Sequence, residues 1–278
     1  MNSWKTENAI LFLPVAAILI CAFLIPIAYF FYTSLSELGG PADVAREFGD
    51  VASRGYVRAA FIFTAYISLI VTLATLLISY PIAYVMTRIK GFAFKLIVVC
   101  IIIPYFTSTI VRTFAWMILL GRAGAINSTL MSWGVIDSPL MLMYNQSGIV
   151  IGMVYMLLPY MCMTLYVSMK NIDPRILMAS DSLGASQIFK FFNVFLPLSF
   201  PGVISGCLIV FILSLGFFVT PALMGGPSNV VAAMLIQQEV EIQFNWPTAT
   251  ILSIILLVIT LALYGLYCKY TNIGKSLL

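Results

Sequence analysis

The side chains that most often carry chemistry are scarce in this sequence. There is no histidine, so the commonest general base and metal ligand is missing. The five cysteines (Cys21, Cys100, Cys162, Cys207, Cys268) have no CxxC spacing and signal neither a zinc site nor a disulfide framework. They read as small apolar packing residues. Gly274-Lys275-Ser276 imitates the end of a phosphate-binding loop, but Lys269 stands where the first glycine belongs. Only two residues follow, too few for a helix to receive phosphate. No catalytic residue, metal site or cofactor is expected. If the chain's work is driven by ATP, another chain must hydrolyse it.

What remains could bind or move a solute. Arg112 is the one charge inside an otherwise uncharged apolar stretch, and a charge in that setting is a functional hypothesis by default. The alternative is structural, with the guanidinium pairing helix-end carbonyls or snorkelling outward. Phe217, Phe218 and Thr220 could form an apolar gate with one polar contact, or could be plain packing. Glu239 and Glu241 could attract a cationic solute or meet a partner protein, or could be a solvated loop.

The elements that must position these residues are membrane helices. At 62% hydrophobic and 9% charged, the 278-residue chain is far from the soluble norm of about 25% charged. Crossing a bilayer core takes about 20 apolar residues, and six stretches qualify: Ala9–Thr33, Ala60–Thr87, Leu96–Leu120, Gly148–Met169, Phe200–Ala222 and Pro247–Cys268. Backbone groups in lipid must be satisfied internally, so the spans are helices. The first run is too long for a signal-peptide core and is expected to stay as the first helix. Arg112 falls about 16 residues into the third span, roughly 24 Å along it by helical rise. Every span contains or begins with a proline. The fold expected is all-α, one polytopic domain over 1–278, with a short helix near Asp43–Val51 in the first long loop.

Basic residues set the orientation. With the N-terminus inside, nine (Lys5, Arg88, Lys90, Lys95, Lys170, Arg175, Lys190, Lys269, Lys275) are cytoplasmic and four (Arg46, Arg54, Arg58, Arg122) are external. Both termini are expected in the cytoplasm. Seven of the ten acidic residues then fall outside, a bias that favours the approach of cations. The absence of carboxylates from every span argues against a self-sufficient channel or secondary carrier, because gradient-driven carriers need ionisable groups near the midplane.

The long cytoplasmic loop 170–199 carries the most local information. Asp173 is a good N-cap, Pro174 a good first helical residue and Gly184 a stop, which predicts a helix of about ten residues. A second helical stretch begins at Ala185 and runs to Leu196-Pro197. The first helix has few basic residues for adsorption to lipid and is better suited to dock in a partner's groove.

This loop resembles the EAA loop of the permease subunits of binding-protein-dependent ABC importers. Their pattern is Glu-Ala-Ala, three residues, Gly, nine residues, Ile-x-Leu-Pro. Here Met178-Ala179-Ser180 is followed at the same spacings by Gly184 and by Val194-Phe195-Leu196-Pro197. Met178 replaces the glutamate and Ser180 the second alanine. The similarity is closest to the spermidine/putrescine permease group and includes Ile103-Pro104-Tyr105-Phe106-Thr107-Ser108 with Arg112, Gly134 to Pro139, Gly152 to Pro159, Leu223 to Pro227, and Asn245-Trp246-Pro247. The resemblance implies a coupling helix with Ala179, Ser180, Asp181, Leu183, Gly184, Ala185 and Ser186 against an ATPase. It also implies two ATP-binding subunits, a second permease of a different chain, a periplasmic solute-binding protein, residence in the bacterial inner membrane, and no nucleic acid. The cargo it implies is a polyamine. Gly216 to Pro221 lacks the acidic residue of polyamine-type relatives, which keeps another organic cation, an amino acid or an opine-like solute open.

Overall fold

Lipid supplies no hydrogen bonds, so each segment of this chain must close its own ladder. The computed structural model describes residue 14 and residues 17–276. Lys5, Glu7 and the start of the first expected span lie outside the described residues. The described chain is helical, without strands, and six of its helices are long and apolar enough to cross a membrane. The six are Ala17–Ser36, Gly55–Arg88, Thr109–Ser132, Gln146–Lys170, Gln187–Leu215 and Trp246–Gly265. In order the helical elements are α1 (Ala17–Ser36), α2 (Pro41–Ser53), α3 (Gly55–Arg88), α4 (Gly91–Ile102), α5 (Thr109–Leu120) and α6 (Ala125–Ser132), which together make the third candidate, and α7 (Gln146–Lys170). They continue as α8 (Pro174–Ser182), α9 (Gln187–Leu215), α10 (Val219–Met224), α11 (Ala232–Glu241) and α12 (Trp246–Ser276).

The chain forms two compact units, Met1–Val57 with Leu235–Ile255, and Arg58–Met234 with Leu256–Leu278. In the first unit, Ser34 Oγ lies 2.8 Å from Thr250 Oγ1, and the Phe30 ring meets Trp246 edge-on at 5.8 Å. The helix expected near Asp43–Val51 is α2. Its start is fixed by Pro41 at the first turn and by the Gly40 amide donating to the Asp43 carboxylate at 3.2 Å.

In the second unit α7 is the axis. Asn145 caps it by accepting from the Gly148 amide at 2.9 Å. Ile149, Met153, Leu157, Met161 and Leu165 recur every four residues and are all buried. In a bilayer such burial is not driven by escape from water, so close van der Waals approach must hold the helices together. Small residues permit it. A Cβ on Gly202 of α9 would lie 2.4 Å from the Ser168 side chain of α7. A Tyr80–Ser199 hydroxyl contact at 2.8 Å ties α3 to the same helix.

Two expected spans are corrected. The third is not a single helix over Leu96–Leu120. Proline lacks an amide, and after Pro104 the chain makes a 3-10 turn (Ile103–Phe106) and goes extended at Thr107 and Ser108 before α5 begins. Thr107 Oγ1 donates to the Pro104 carbonyl at 2.7 Å, a local bond that competes with the helical ladder. The fifth span begins at Gln187, not Phe200, and stops at Leu215, so that Gly216 to Phe218 separate it from α10. Pro221 could not have continued the ladder to Phe217. Two prolines also account for the two π turns. Ile20–Leu24 precedes Pro26, and Phe191–Phe195 precedes Pro197. In each, the turn spans the carbonyl four residues back, with which the proline ring would collide.

The loop after α5 is clipped by one fully buried residue. Asn127 donates to the carbonyls of Gly121 (3.0 Å) and Leu140 (3.1 Å) and accepts from the Leu140 amide (2.9 Å). Asn127→Ala strands these backbone groups, at a cost of about 1–3 kcal/mol each where no water replaces the side chain. The expected result is a clear fall in Tm of the detergent-solubilised protein, with Asn127→Asp intermediate, measured by scanning fluorimetry.

Candidate functional site

Two helices that restart after interruptions pack together in the second unit. α5 and α10 restart after the breaks at Thr107–Ser108 and Gly216–Phe218, and both pack on α7. Their facing hydroxyls, Thr113 Oγ1 and Thr220 Oγ1, are fully buried and lie 3.5 Å apart, while Thr113 also donates to the Thr109 carbonyl at 2.9 Å. Gly152 of α7 lies beneath them: a Cβ there would be 2.6 Å from Thr220 Cγ2 and 2.7 Å from Met224 Sδ. Ser214 Oγ is buried without a hydrogen-bond partner at the end of α9. Interrupted helices in membranes place free backbone ends and small polar groups at a solute path, and they are tolerated only where protein covers them.

Of the expected gate residues, Thr220 is buried and bonded to Thr113, Phe217 packs against the α7 core, and Phe218 is more than one-third exposed at the break. Arg112 is the fourth residue of α5 rather than sixteen residues into an unbroken helix, so the depth inferred from helical rise does not apply. Its Nη2 donates to Thr109 Oγ1 at 3.4 Å and its Nε is buried without a partner. Tyr160 of α7 meets Tyr105 edge-on at 5.6 Å. Thr113 and Ser214 were not singled out from sequence, and Gly152 only as the first residue of a family-like stretch; nothing in hydropathy separates them from other small residues on apolar helices.

The loop helix α8 is built as its local signals require. Asp173 accepts from the Arg175 amide at 2.9 Å, and Pro174 opens the helix. Gly184 ends it at φ +75°. The Ala185 amide donates to the Ser180 carbonyl and the Gly184 amide to the Asp181 carbonyl, the paired bonds of a Schellman stop. Ser186 then caps α9 by accepting from the Phe189 amide at 3.2 Å. Ala179, Asp181, Leu183, Gly184 and Ser186 are exposed, whereas Ser180 and Ala185 are half-buried. Leu183 is 88% exposed and Met178 57%. Ile172 and Leu177 face the α7 core. One residue was missed: Lys190, buried, places Nζ 2.6 Å from Asp181 Oδ1.

In the first unit Arg54 pairs with Glu47 at 2.9 Å and also feels the charge of Glu239. Glu239, on α11 outside the membrane spans, is buried, and its Oε2 has no partner. Burial pushes its carboxyl above the ordinary value, and Arg54 pulls it partly back. Glu241 is exposed and accepts from Gln237 Nε2 at 2.8 Å.

Residues 59–268 match the family described as "Binding-protein-dependent transport system inner membrane component". The chain is 34% identical over 200 residues to the spermidine/putrescine transport system permease protein PotB of Haemophilus influenzae, covering 72% of this chain and 70% of that one. It is 36% identical over 196 residues to PotB of Escherichia coli, covering 69% and 70%. In fold it is similar to a chain of the bacterial alginate ABC transporter solved with its alginate pentasaccharide-bound periplasmic protein, with a TM-score of 0.73, 15% identity, and coverage of 95% and 92%.

Gly152→Val forces a branched side chain into Thr220 and Met224 and pushes α7 from α10. Solute uptake is expected to fall at least tenfold, with the membrane level of the chain checked by immunoblot. Glu239 holds its proton more tightly folded than unfolded, so it lowers stability as pH rises from 4.5 through its raised folded value. Glu239→Gln removes that penalty. The variant is expected to melt higher than the parent above this window, with the gain vanishing near pH 4.5, as read from Tm against pH.

Proposed function

Because the chain belongs to the binding-protein-dependent transport system inner membrane components, we propose that it carries a polyamine and is driven through α8. It is the permease of an ABC importer, a multi-pass inner-membrane transport component rather than an enzyme, and an ATPase partner is implied by the family. A second permease and a solute-binding protein complete such a system. In our reading the ATP-binding subunits number two, the second permease is a different chain, and both termini face the cytoplasm.

The observation that carries the reading is α8. It is a nine-residue helix, capped at both ends, with an apolar tip at Leu183 and with Met178 turned out of the protein. An exposed apolar tip on a rigid loop is a docking feature. α8 seats in a cleft of the ATPase through Ala179, Ser180, Asp181, Leu183, Gly184, Ala185 and Ser186. ATP binding closes the ATPase pair, draws the coupling helices together and opens the path outward. The path passes the breaks beside α10, where Phe217 and Phe218 act as a gate and Thr220 exchanges Thr113 for the cargo. The single domain spans 1–278, with Glu239 and Glu241 giving its outer part a carboxylate excess suited to a polyamine. The polyamine reading rests on the names of the relatives above.

Two measurements test these proposals. Spermidine or putrescine should stabilise the cognate binding protein by about 2.7 kcal/mol at one hundred times Kd, and amino acids should not. A response to an amino acid alone overturns the polyamine assignment. Gly184→Pro cannot adopt φ +75° and should abolish solute-stimulated ATP hydrolysis, by at least tenfold, in a chain that still assembles. Normal stimulation would refute docking through α8.

A further inference from the structure

Lys190 is the one buried lysine among the described residues, and it sits where the loop enters the fifth span. Its side chain is 7% exposed, and Nζ reaches Asp181 Oδ1 at 2.6 Å across the turn that ends α8. Burying an ammonium is costly unless it is paired, and even a paired one contributes little net stability. A geometric role explains its place better than a stabilising one.

We propose that Lys190 is a positioning residue that locks α8 to α9, so that motion imposed on α8 reaches the fifth span without loss at the Gly184 turn. The proposal rests on the reading of α8 as the coupling helix. Without the ion pair, the far end of α8 is joined to α9 by the mostly exposed turn Leu183 to Ser186, held by backbone bonds, and by its packing against the first turns of α9. A single strand of chain can twist about its own dihedrals. The Asp181–Lys190 bond adds a further attachment and closes a ring around the turn. The near end of α8 is already held by Ile172 and Leu177 against the core. The receiving end is equally anchored. Phe191, directly after Lys190, and Phe195, one turn further on, meet the Tyr84 ring of α3 edge-on at 5.3 and 4.9 Å. Force applied at Leu183 thus has a continuous polar and aromatic route into α9 and α3.

The test uses the transporter assembled with its ATPase subunits, second permease and binding protein. Spin labels are placed at Ser182→Cys and Phe200→Cys, with the five native cysteines replaced by serine, and the distance between them is read with and without ATP. With Lys190 in place, one narrow distance that ATP leaves unchanged is expected. Lys190→Met should broaden and shift it on ATP addition, and spermidine moved per ATP hydrolysed should fall at least tenfold. Lys190→Arg and the exchange Asp181→Lys with Lys190→Asp should keep the distance narrow, which a loss of folding would not. A narrow, ATP-insensitive distance in Lys190→Met overturns the proposal. A disulfide from Ala185→Cys to the ATPase separates the two ideas: its failure to form refutes docking, and its formation beside an undisturbed Lys190→Met refutes only the lock.

Discussion

The membrane-spanning part of this protein answers to the need to satisfy backbone hydrogen bonds where water is absent. Continuous helices meet that need at no further cost, and α3 and α7 are such helices even though Pro81 and Pro159 interrupt their ladders. The third and fifth spans do not. They break at Thr107–Ser108 and at Gly216–Phe218, where Thr107, Ser108, Gly216 and Phe218 are exposed, and local bonds and close helix approach flank each break. Thr107 bonds back to Pro104, Thr113 faces Thr220, and α7 presents Gly152 so that α10 can come close. The proposed solute path runs past the places where the rule is strained.

The expected spans carry no carboxylate with which to trap a proton or sodium ion at the midplane. In the reading proposed here the chain's movement is imposed from outside, through the loop helix. Capping by Asp173 and the Gly184 stop make α8 a rigid body, and the apolar tip at Leu183 gives a partner something to hold. Membership of the importer family supplies the partner chain whose nucleotide does the work.

The charges of the first unit follow a different logic. Arg54 faces two carboxylates and forms an ion pair with one of them, Glu47. Glu239 is left buried with an unbonded oxygen and a carboxyl pushed toward its neutral form. Such a group is sensitive to any cation that approaches, because a positive neighbour offsets the penalty that burial imposes.

Apolar runs as long as a bilayer is thick announce themselves whatever surrounds them, so the six membrane crossings were legible in the sequence. The loop helix was legible too, since Asp173, Pro174 and Gly184 act within a turn of where they stand. Proline could not reveal which spans break, because every span has one. Whether a neighbour covers the gap decides between a kink and a stop. Nor could composition show that Lys190 folds inward to Asp181 or that Glu239 is sealed from solvent. Those facts depend on a turn's handedness and on helices far apart in sequence. Local chemistry determined the elements; which polar groups were left facing one another was settled only when the helices packed.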